Sequence, residues 1–592
     1  MGCKCSKQSA DITSEADGRF GGEDDEEYIE KAVCEESELK DNEMKIFELE
    51  DDESVLVVKQ GGQITALGTR CTHYGAPLDK AALGEGRIRC QWHGACFNVL
   101  NGDIEDYPGV DSLPCYQVKV EKNQVKVRAK RSLLELNRRT KIHPKIDAYE
   151  NTTVVLVGAG PSSATCAETL REEGFKGKII MIGEEPYLPY DRVKVSKAMT
   201  SHIDDIQLRN EEFYKNIGVE VIKKTKVVCV NPSEKFVTTS TGQVINYDKL
   251  YIATGVTCRR LQIPGGDLNN IFVLKDYDDA QGLLKQLAPD KHVVCIGASF
   301  IGMEGANSVK KKVAKVTVVS HRKVPFERSF GLRIGEAFLN LYKEKGVDFA
   351  MERKHVKITG DENGNVTGVE LDDGTVLKAD IIILGIGSYP TTGFLKDSGI
   401  QLHTDHAIDV NEYLETNIPD IYAGGDVAHA PVWSRDNYKA TIGHYGLAQM
   451  HAKIAALNMI GKKTPLRAVP FFWTVLYGKS VQYAGHGETQ DIIYAGNVEQ
   501  FNFIAYYLIN DEVVGVAGCQ MYPTVAQFAE LLAQGRKLYR KDIESDPLEW
   551  TKTVARAKDT KRDSNNATNG FGAINNNSTV ENTNTNNNNN TH

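Results

Sequence analysis

Cys71-x-His73, sixteen further residues, and then Cys90-x-x-His93-Gly94 constrain this chain more than any other feature. Two thiolates and two imidazoles in that interleaved order are the ligand set of a Rieske [2Fe–2S] cluster. The cysteines hold one iron, and the neutral histidines hold the other and raise the potential. Gly75 and Gly94 let the two ligand loops turn tightly. Zinc is the alternative for a Cys₂His₂ set, but zinc fingers place both cysteines before both histidines, so the interleaving favours the cluster. A cluster is an electron carrier, and the remainder of the chain is expected to supply or accept electrons.

At 592 residues the chain exceeds what one core can organise and implies about three or four domains. A net charge of −10 excludes a general nucleic-acid surface, which needs a basic stripe. Cys166, Cys229, Cys258, Cys295 and Cys519 are scattered singly, the pattern of reduced thiols in a cytoplasmic protein rather than a disulfide framework. No apolar run reaches the roughly eighteen residues of a membrane span. The opening Met1-Gly2-Cys3-Lys4-Cys5-Ser6 fits N-myristoylation at Gly2, with Cys3 placed for palmitoylation. A second acyl chain is needed because one anchors marginally and the acidic run Glu23–Glu27 is repelled by anionic lipid. The alternative is an unmodified tail. A mitochondrial presequence fits less well, since residues 1–40 contain a single arginine, Arg19.

Residues 1–43 read as an acidic, disordered tail and linker. Short strand-like runs separated by Gly61-Gly62, Asn101-Gly102 and Asn123 turns place a small all-β cluster module over 44–130. A basic helical stretch, Lys130–Lys145, makes 131–150 a linker, and 546–592 read as a disordered, Asn-rich tail.

Two dinucleotide motifs lie between. The apolar strand Thr153–Val157 runs into Gly158-x-Gly160-x-x-Ser163 and a helical pattern, so pyrophosphate can rest on a helix N-terminus. The next strand, Lys178–Ile182, ends at Glu184-Glu185, positioned for ribose hydroxyls. The second motif is Gly297-x-Ser299-x-x-Gly302, with serine at its middle position. Its following strand ends in Ser320-His321-Arg322-Lys323 rather than in an acid, which leans towards the 2′-phosphate of NADPH over NADH. Tyr247–Gly255 is a strand ending at Thr254 and Gly255, and Gly385-x-Gly387 is a matching turn of the second lobe. Thr416–Asp426 is a further strand ending in Gly424-Gly425 and an exposed acid, Asp426.

This order of motifs resembles the two-dinucleotide flavoprotein reductases of glutathione-reductase fold. Pro189-Tyr190-Asp191-Arg192-Val193-Lys194-Val195-Ser196-Lys197 resembles the "PYxRPPLSK" signature of the ferredoxin-reductase and apoptosis-inducing-factor branch, with both central prolines replaced. Gly297–Glu304, Gly443-His444 and Pro470–Trp473 add to the match. With the cluster module in front, the chain is similar to the Rieske-bearing apoptosis-inducing-factor-like proteins over roughly residues 46–545. The resemblance implies a small all-β Rieske module followed by two Rossmann-like α/β domains. These are an FAD domain over 151–270 and 391–466 and an NAD(P) domain over 271–390. A small α+β C-terminal domain over 467–545 follows, of the dimerisation type, so a homodimer is among the implied assemblies. It implies FAD on Gly158, Gly160, Ser163, Glu184 or Glu185, Arg192, Lys197, Thr254, Gly255 and Asp426. It also implies NAD(P)H on Gly297, Ser299, Gly302, Arg322 and Gly387, an ion pair of Lys197 with Glu304 beside the flavin, and Trp473 packed near the isoalloxazine. Mitochondrial association is a further implication.

Disulfide reductases of this fold carry a C-x₄-C pair; Cys166 stands alone here and reads as packing. The ligand loops also lack the bridging cysteine of respiratory Rieske proteins, which resembles the lower-potential type at about −150 mV. The expected activity is therefore an FAD-dependent NAD(P)H oxidoreductase that feeds its own cluster and then an unidentified acceptor. The competing class is a cell-death signalling protein whose flavin state controls partner binding. A Rieske oxygenase ranks below both, for want of a His-x₄-His with a partnering acid.

Overall fold

The computed structural model describes residues 27–50, 52–141 and 150–555. The acylation pattern at Gly2 and Cys3 and the Asn-rich tail beyond 555 lie outside the described residues.

The first module is all β. Its six-stranded antiparallel sheet runs in the order Tyr28–Glu35, Gln124–Lys130, Cys115–Glu121, Gln63–Leu67, Glu53–Gln60, Glu43–Glu50. A four-stranded sheet, Ala82–Leu83, Arg87–Arg89, Cys96–Asn98 and Ile104–Asp106, presents the ligand loops. The segment expected as acidic tail and linker over 1–43 contains, at Tyr28–Glu35, an edge strand of the larger sheet. It turns Ile29 and Cys34 inward, and a bulge between Ala32 and Cys34 breaks the two-residue alternation that would have revealed it. Of the helix expected over Lys130–Lys145, the described residues form Arg131–Leu136. It stops because Asn137 takes a left-handed backbone and its amide bonds both the N–H and the carbonyl of Arg70, beside the first ligand loop.

The two dinucleotide lobes repeat one plan. A five-stranded parallel sheet, ordered Val219–Ile222, Lys178–Ile182, Thr153–Val157, Lys249–Ile252, Ile421–Ala423, is followed by its equivalent Ile271–Phe272, Ile381–Leu384, His292–Ile296, Lys315–Ser320, Asp348–Met351. The central strands are unbroken apolar runs because helices cover both faces of a parallel sheet. The C-terminal lobe is a five-stranded antiparallel sheet from Phe471–Leu476 to Glu512–Cys519 backed by helix Thr524–Ala533. Here the tail expected from 546 is corrected: the body continues to Ala555. Trp550 and Val554 are buried, and Gln534 and Arg536 hold the backbone carbonyls of Val554 and Thr553.

The cluster module is seated on the other lobes by buried polar groups rather than by apolar surface alone. Arg89 bonds Glu530 of the C-terminal helix at 2.6 Å, with both side chains at most 2% exposed. Arg89 and Arg87 also share the carboxylate of Asp106. Burial by itself would raise Asp106, yet Arg87 and Arg89 hold it below the usual carboxylate range. On the flavin-lobe side, Arg209 joins Asp111 of the module at 2.8 Å to Glu168 at 3.1 Å. Lys453 donates to the carbonyl of Glu105 at 3.0 Å and Gln449 to that of Gly109 at 2.9 Å. Removing one member of a buried ion pair strands its partner. Glu530→Ala is therefore expected to destabilise the protein by about 3 kcal/mol, read as a lower denaturation midpoint.

Candidate functional site

The two ligand loops are built alike. Cys71 N–H donates to the Ala76 carbonyl at 2.8 Å and Gly75 N–H to that of Cys71 at 2.9 Å. Cys90 N–H donates to the Ala95 carbonyl at 2.7 Å and Gly94 N–H to that of Cys90 at 3.1 Å. Gly75 (φ +74°) and Gly94 (φ +82°) supply the left-handed turn, and a Cβ on Gly94 would lie 2.7 Å from the Phe471 ring. The loops bring Cys71 and Cys90 together as buried free thiols within reach of each other. The Nδ1 atoms of His73 and His93 meet at 3.1 Å. The buried Nε2 of His73 has no hydrogen-bond partner among the described residues. Burial keeps both imidazoles neutral. It pushes His93 down to about 3, with Lys197 and Lys194 adding to the effect.

An aromatic shell encloses the histidines. Tyr74 stacks on His73 (centroids 3.7 Å, planes 18° apart), and Trp473 lies 4.3 Å from His93 and 5.8 Å from His73. The resemblance puts Trp473 near the isoalloxazine; its ring packs on the cluster ligands. Thr474, next along the same strand, donates to Glu304 at 2.8 Å. Glu304 also accepts from Ser196 at 2.5 Å and from Lys197 at 2.6 Å. One strand therefore joins a cluster ligand to the Lys197–Glu304 pair.

Around the first glycine motif the backbone opens into a groove. Gly158 (φ +106°) lies so close to the next strand that a Cβ would meet the Ala253 carbonyl at 2.4 Å. Gly160 is the N-cap of helix Pro161–Glu172, and the nearest atom to a Cβ there is Arg192 Nε at 4.0 Å. That space at a helix N-terminus suits a pyrophosphate. Ser163 packs fully buried between strand and helix. The two acids diverge: Glu184 faces solvent and Lys226 at 3.2 Å, whereas Glu185 joins Arg192 and, at 2.7 Å, the Tyr190 hydroxyl. Thr254 donates to the Thr391 carbonyl at 2.8 Å, and Gly255 accepts from Thr391 N–H. Asp426, expected as an exposed acid, instead lines the cleft. Burial pushes its carboxyl up to about 6 against the opposing Arg192 and Lys275.

In the second lobe, a Cβ on Gly297 would sit 2.2 Å from the Gly385 carbonyl and one on Gly302 1.9 Å from that of Gly297. Both glycines are steric requirements. Ser299 is tolerated between them because its backbone is extended (φ −104°, ψ −166°) and demands no glycine. Gly387 (φ +93°) has open space around it. Arg322 is half exposed and only loosely paired with Glu327, at 3.8 Å.

The interlobe partners could not be read from sequence: the Tyr74 hydroxyl donates to Asp191, and the Lys194 ammonium lies 4.3 Å from the Tyr74 ring centroid. Tyr74 lies in the first ligand loop and Asp191 and Lys194 in the Pro189–Lys197 signature, but nothing in either segment pairs them, and they are more than a hundred residues apart in sequence.

The pyridine nucleotide-disulphide oxidoreductase family matches residues 152–452 and the Rieske [2Fe-2S] domain family residues 30–117. "Apoptosis-inducing factor 3" of Homo sapiens is 40% identical over 525 residues, covering 88% of this chain and 86% of that protein. The ferredoxin reductase for the CYP199A2 system from Rhodopseudomonas palustris superposes with TM-score 0.65 at 25% identity, over 68% of this chain and 100% of its own. The reductase in the covalent putidaredoxin reductase–putidaredoxin complex does so with TM-score 0.65 at 27% identity, over 69% of this chain and 100% of its own. The donor set and the groove fit the groups that these families bind: FAD, NAD(P)H and a [2Fe–2S] cluster.

Purified protein is expected to hold about two irons and two acid-labile sulfides per chain. Cys71→Ala should lose both while keeping flavin absorbance, as measured by metal analysis and visible spectra.

Proposed function

The chain belongs to the pyridine nucleotide-disulphide oxidoreductase family, joined to a Rieske [2Fe-2S] domain, and we propose that this FAD-dependent NAD(P)H oxidoreductase feeds its own cluster before any outside acceptor. The observation behind this reading is the strand Phe471–Leu476, where Trp473 lies on ligand His93 and Thr474 on Glu304. When bound, FAD takes two electrons as hydride from NAD(P)H, and the cluster passes electrons on singly.

The chain's own residues then have distinct tasks. Glu304 accepts three hydrogen bonds and holds the Lys197 ammonium aimed at the flavin cleft, where its charge favours the reduced flavin. Glu185 and Arg192 orient the dinucleotide near the helix N-terminus. Phe471 against Gly94 and Trp473 against His93 exclude water between cleft and cluster, where a dry medium strengthens each charge. His321, Arg322 and Lys323, ending a strand that lacks the usual acid, support NADPH over NADH. The outside acceptor is a one-electron carrier or a small oxidant such as a quinone or an ascorbate radical. The Met1-Gly2-Cys3 start supports a cytoplasmic protein held at a membrane by acylation of Gly2 and Cys3.

A second reading, a cell-death role in which flavin state controls partner binding, has the name of the human relative in its favour. Cys71→Ala separates the two, because a pure interaction protein keeps its phenotype without the cluster.

Anaerobic titration of the iron-loaded protein with NADPH and with NADH tests the leading reading. Flavin bleaching followed by a Rieske-type EPR signal is expected, at lower NADPH than NADH. Flavin bleaching with no cluster signal overturns the relay. Lys197→Met should slow flavin reduction by roughly a hundredfold, checked by stopped-flow absorbance.

A further inference from the structure

Beside cluster ligand His73, three side chains from two lobes close on one another. The ring of Tyr74 stacks on His73 at 3.7 Å, its hydroxyl donates to the Asp191 carboxylate, and the Lys194 ammonium lies 4.3 Å from the ring centroid. Tyr74 belongs to the cluster module, whereas Asp191 and Lys194 belong to the flavin lobe. Lys194 sits in the short helix Val193–Lys197, three residues before Lys197, so the two cations lie on one face of it. Position 194 is one of the two where the family signature has proline, and proline could provide no charge there.

We propose that Tyr74, Asp191 and Lys194 form a clasp that holds the His73 edge of the cluster against the flavin lobe and favours the reduced cluster through the Lys194 charge. These are positioning residues, and their role rests on the relay reading above. The clasp acts in two separable ways. The Tyr74–Asp191 bond sets distance, and in electron transfer a small displacement slows the step without altering hydride uptake. Lys194 sets energy: reduction adds one negative charge to the cluster, and a cation held in a poorly screened place stabilises that state.

The test uses full-length, iron- and FAD-loaded protein. Dithionite titration followed by EPR reads the cluster midpoint potential without recourse to the flavin, and stopped-flow with NADPH reads flavin bleaching and cluster reduction separately. Lys194→Met is expected to move the midpoint negative, and Lys194→Arg to restore it. Tyr74→Phe is expected to slow cluster reduction about tenfold, equivalent to a barrier change of one factor of ten, while flavin bleaching keeps its wild-type rate. A Lys194→Met midpoint equal to wild type, together with unchanged cluster reduction in Tyr74→Phe, overturns the clasp. Failure of NADPH to reduce the wild-type cluster would overturn the relay instead; the dithionite midpoints would still decide the Lys194 charge.

Discussion

Arg89 and Glu530 meet at 2.6 Å in a place almost closed to water, and much else in the molecule depends on that contact. Two charges taken out of solvent recover the cost only when geometry and further hydrogen bonds are good. Arg89 meets that condition by also bonding the Gly94 carbonyl at 2.9 Å and the Asp106 carboxylate. Gly94 follows ligand His93 directly, so the pair that docks the module also braces the second ligand loop. With the Asp111–Arg209–Glu168 triad on the opposite side, the module is a fixed part of the body. The distance from cluster ligands to flavin cleft is thereby a property of the fold.

That fixed seat explains how the Phe471–Leu476 strand can serve three lobes. Period-two alternation sends successive side chains to opposite faces. Phe471 and Trp473 point to the cluster loops, and Thr474 points to Glu304 on the nucleotide-lobe helix Phe300–Val309. A strand is stiff enough to hold these contacts in register, which a loop between mobile domains would not be. The reductases of similar fold match the chain over about two thirds of its length. The remaining third includes the cluster module, placed here where the flavin cleft can be reached within one polypeptide.

The parts of the site set by local backbone geometry were legible from residue order. The ligand loops need small residues at their turns, and the two nucleotide motifs need glycine where a carbonyl approaches within about 2 Å of a Cβ position, as at Gly158, Gly297 and Gly302. The Lys197–Glu304 pair was reached only through the family resemblance, and the structure brings it together at 2.6 Å. The edge strand Tyr28–Glu35 escaped because its charged face and bulge mask its alternation. The terminal segment around Trp550 escaped because a polar composition says nothing of one tryptophan burying itself against Phe528. Asp426 looked exposed because a Gly-Gly turn reads as surface until the lobes close over it.

Residue order by itself determined the chemistry available: two thiols and two imidazoles for iron, two glycine turns for dinucleotides, and a first strand, Thr153–Val157, that can only be buried. Those features follow from covalent spacing and from backbone conformations that few residues can adopt. Tertiary structure alone decided which of these centres communicate. Tyr74 finds Asp191, Arg89 finds Glu530 across 441 residues, and Trp473 comes to rest on His93. Such contacts depend on how whole lobes pack, and a side chain's distant partner is written in no local pattern.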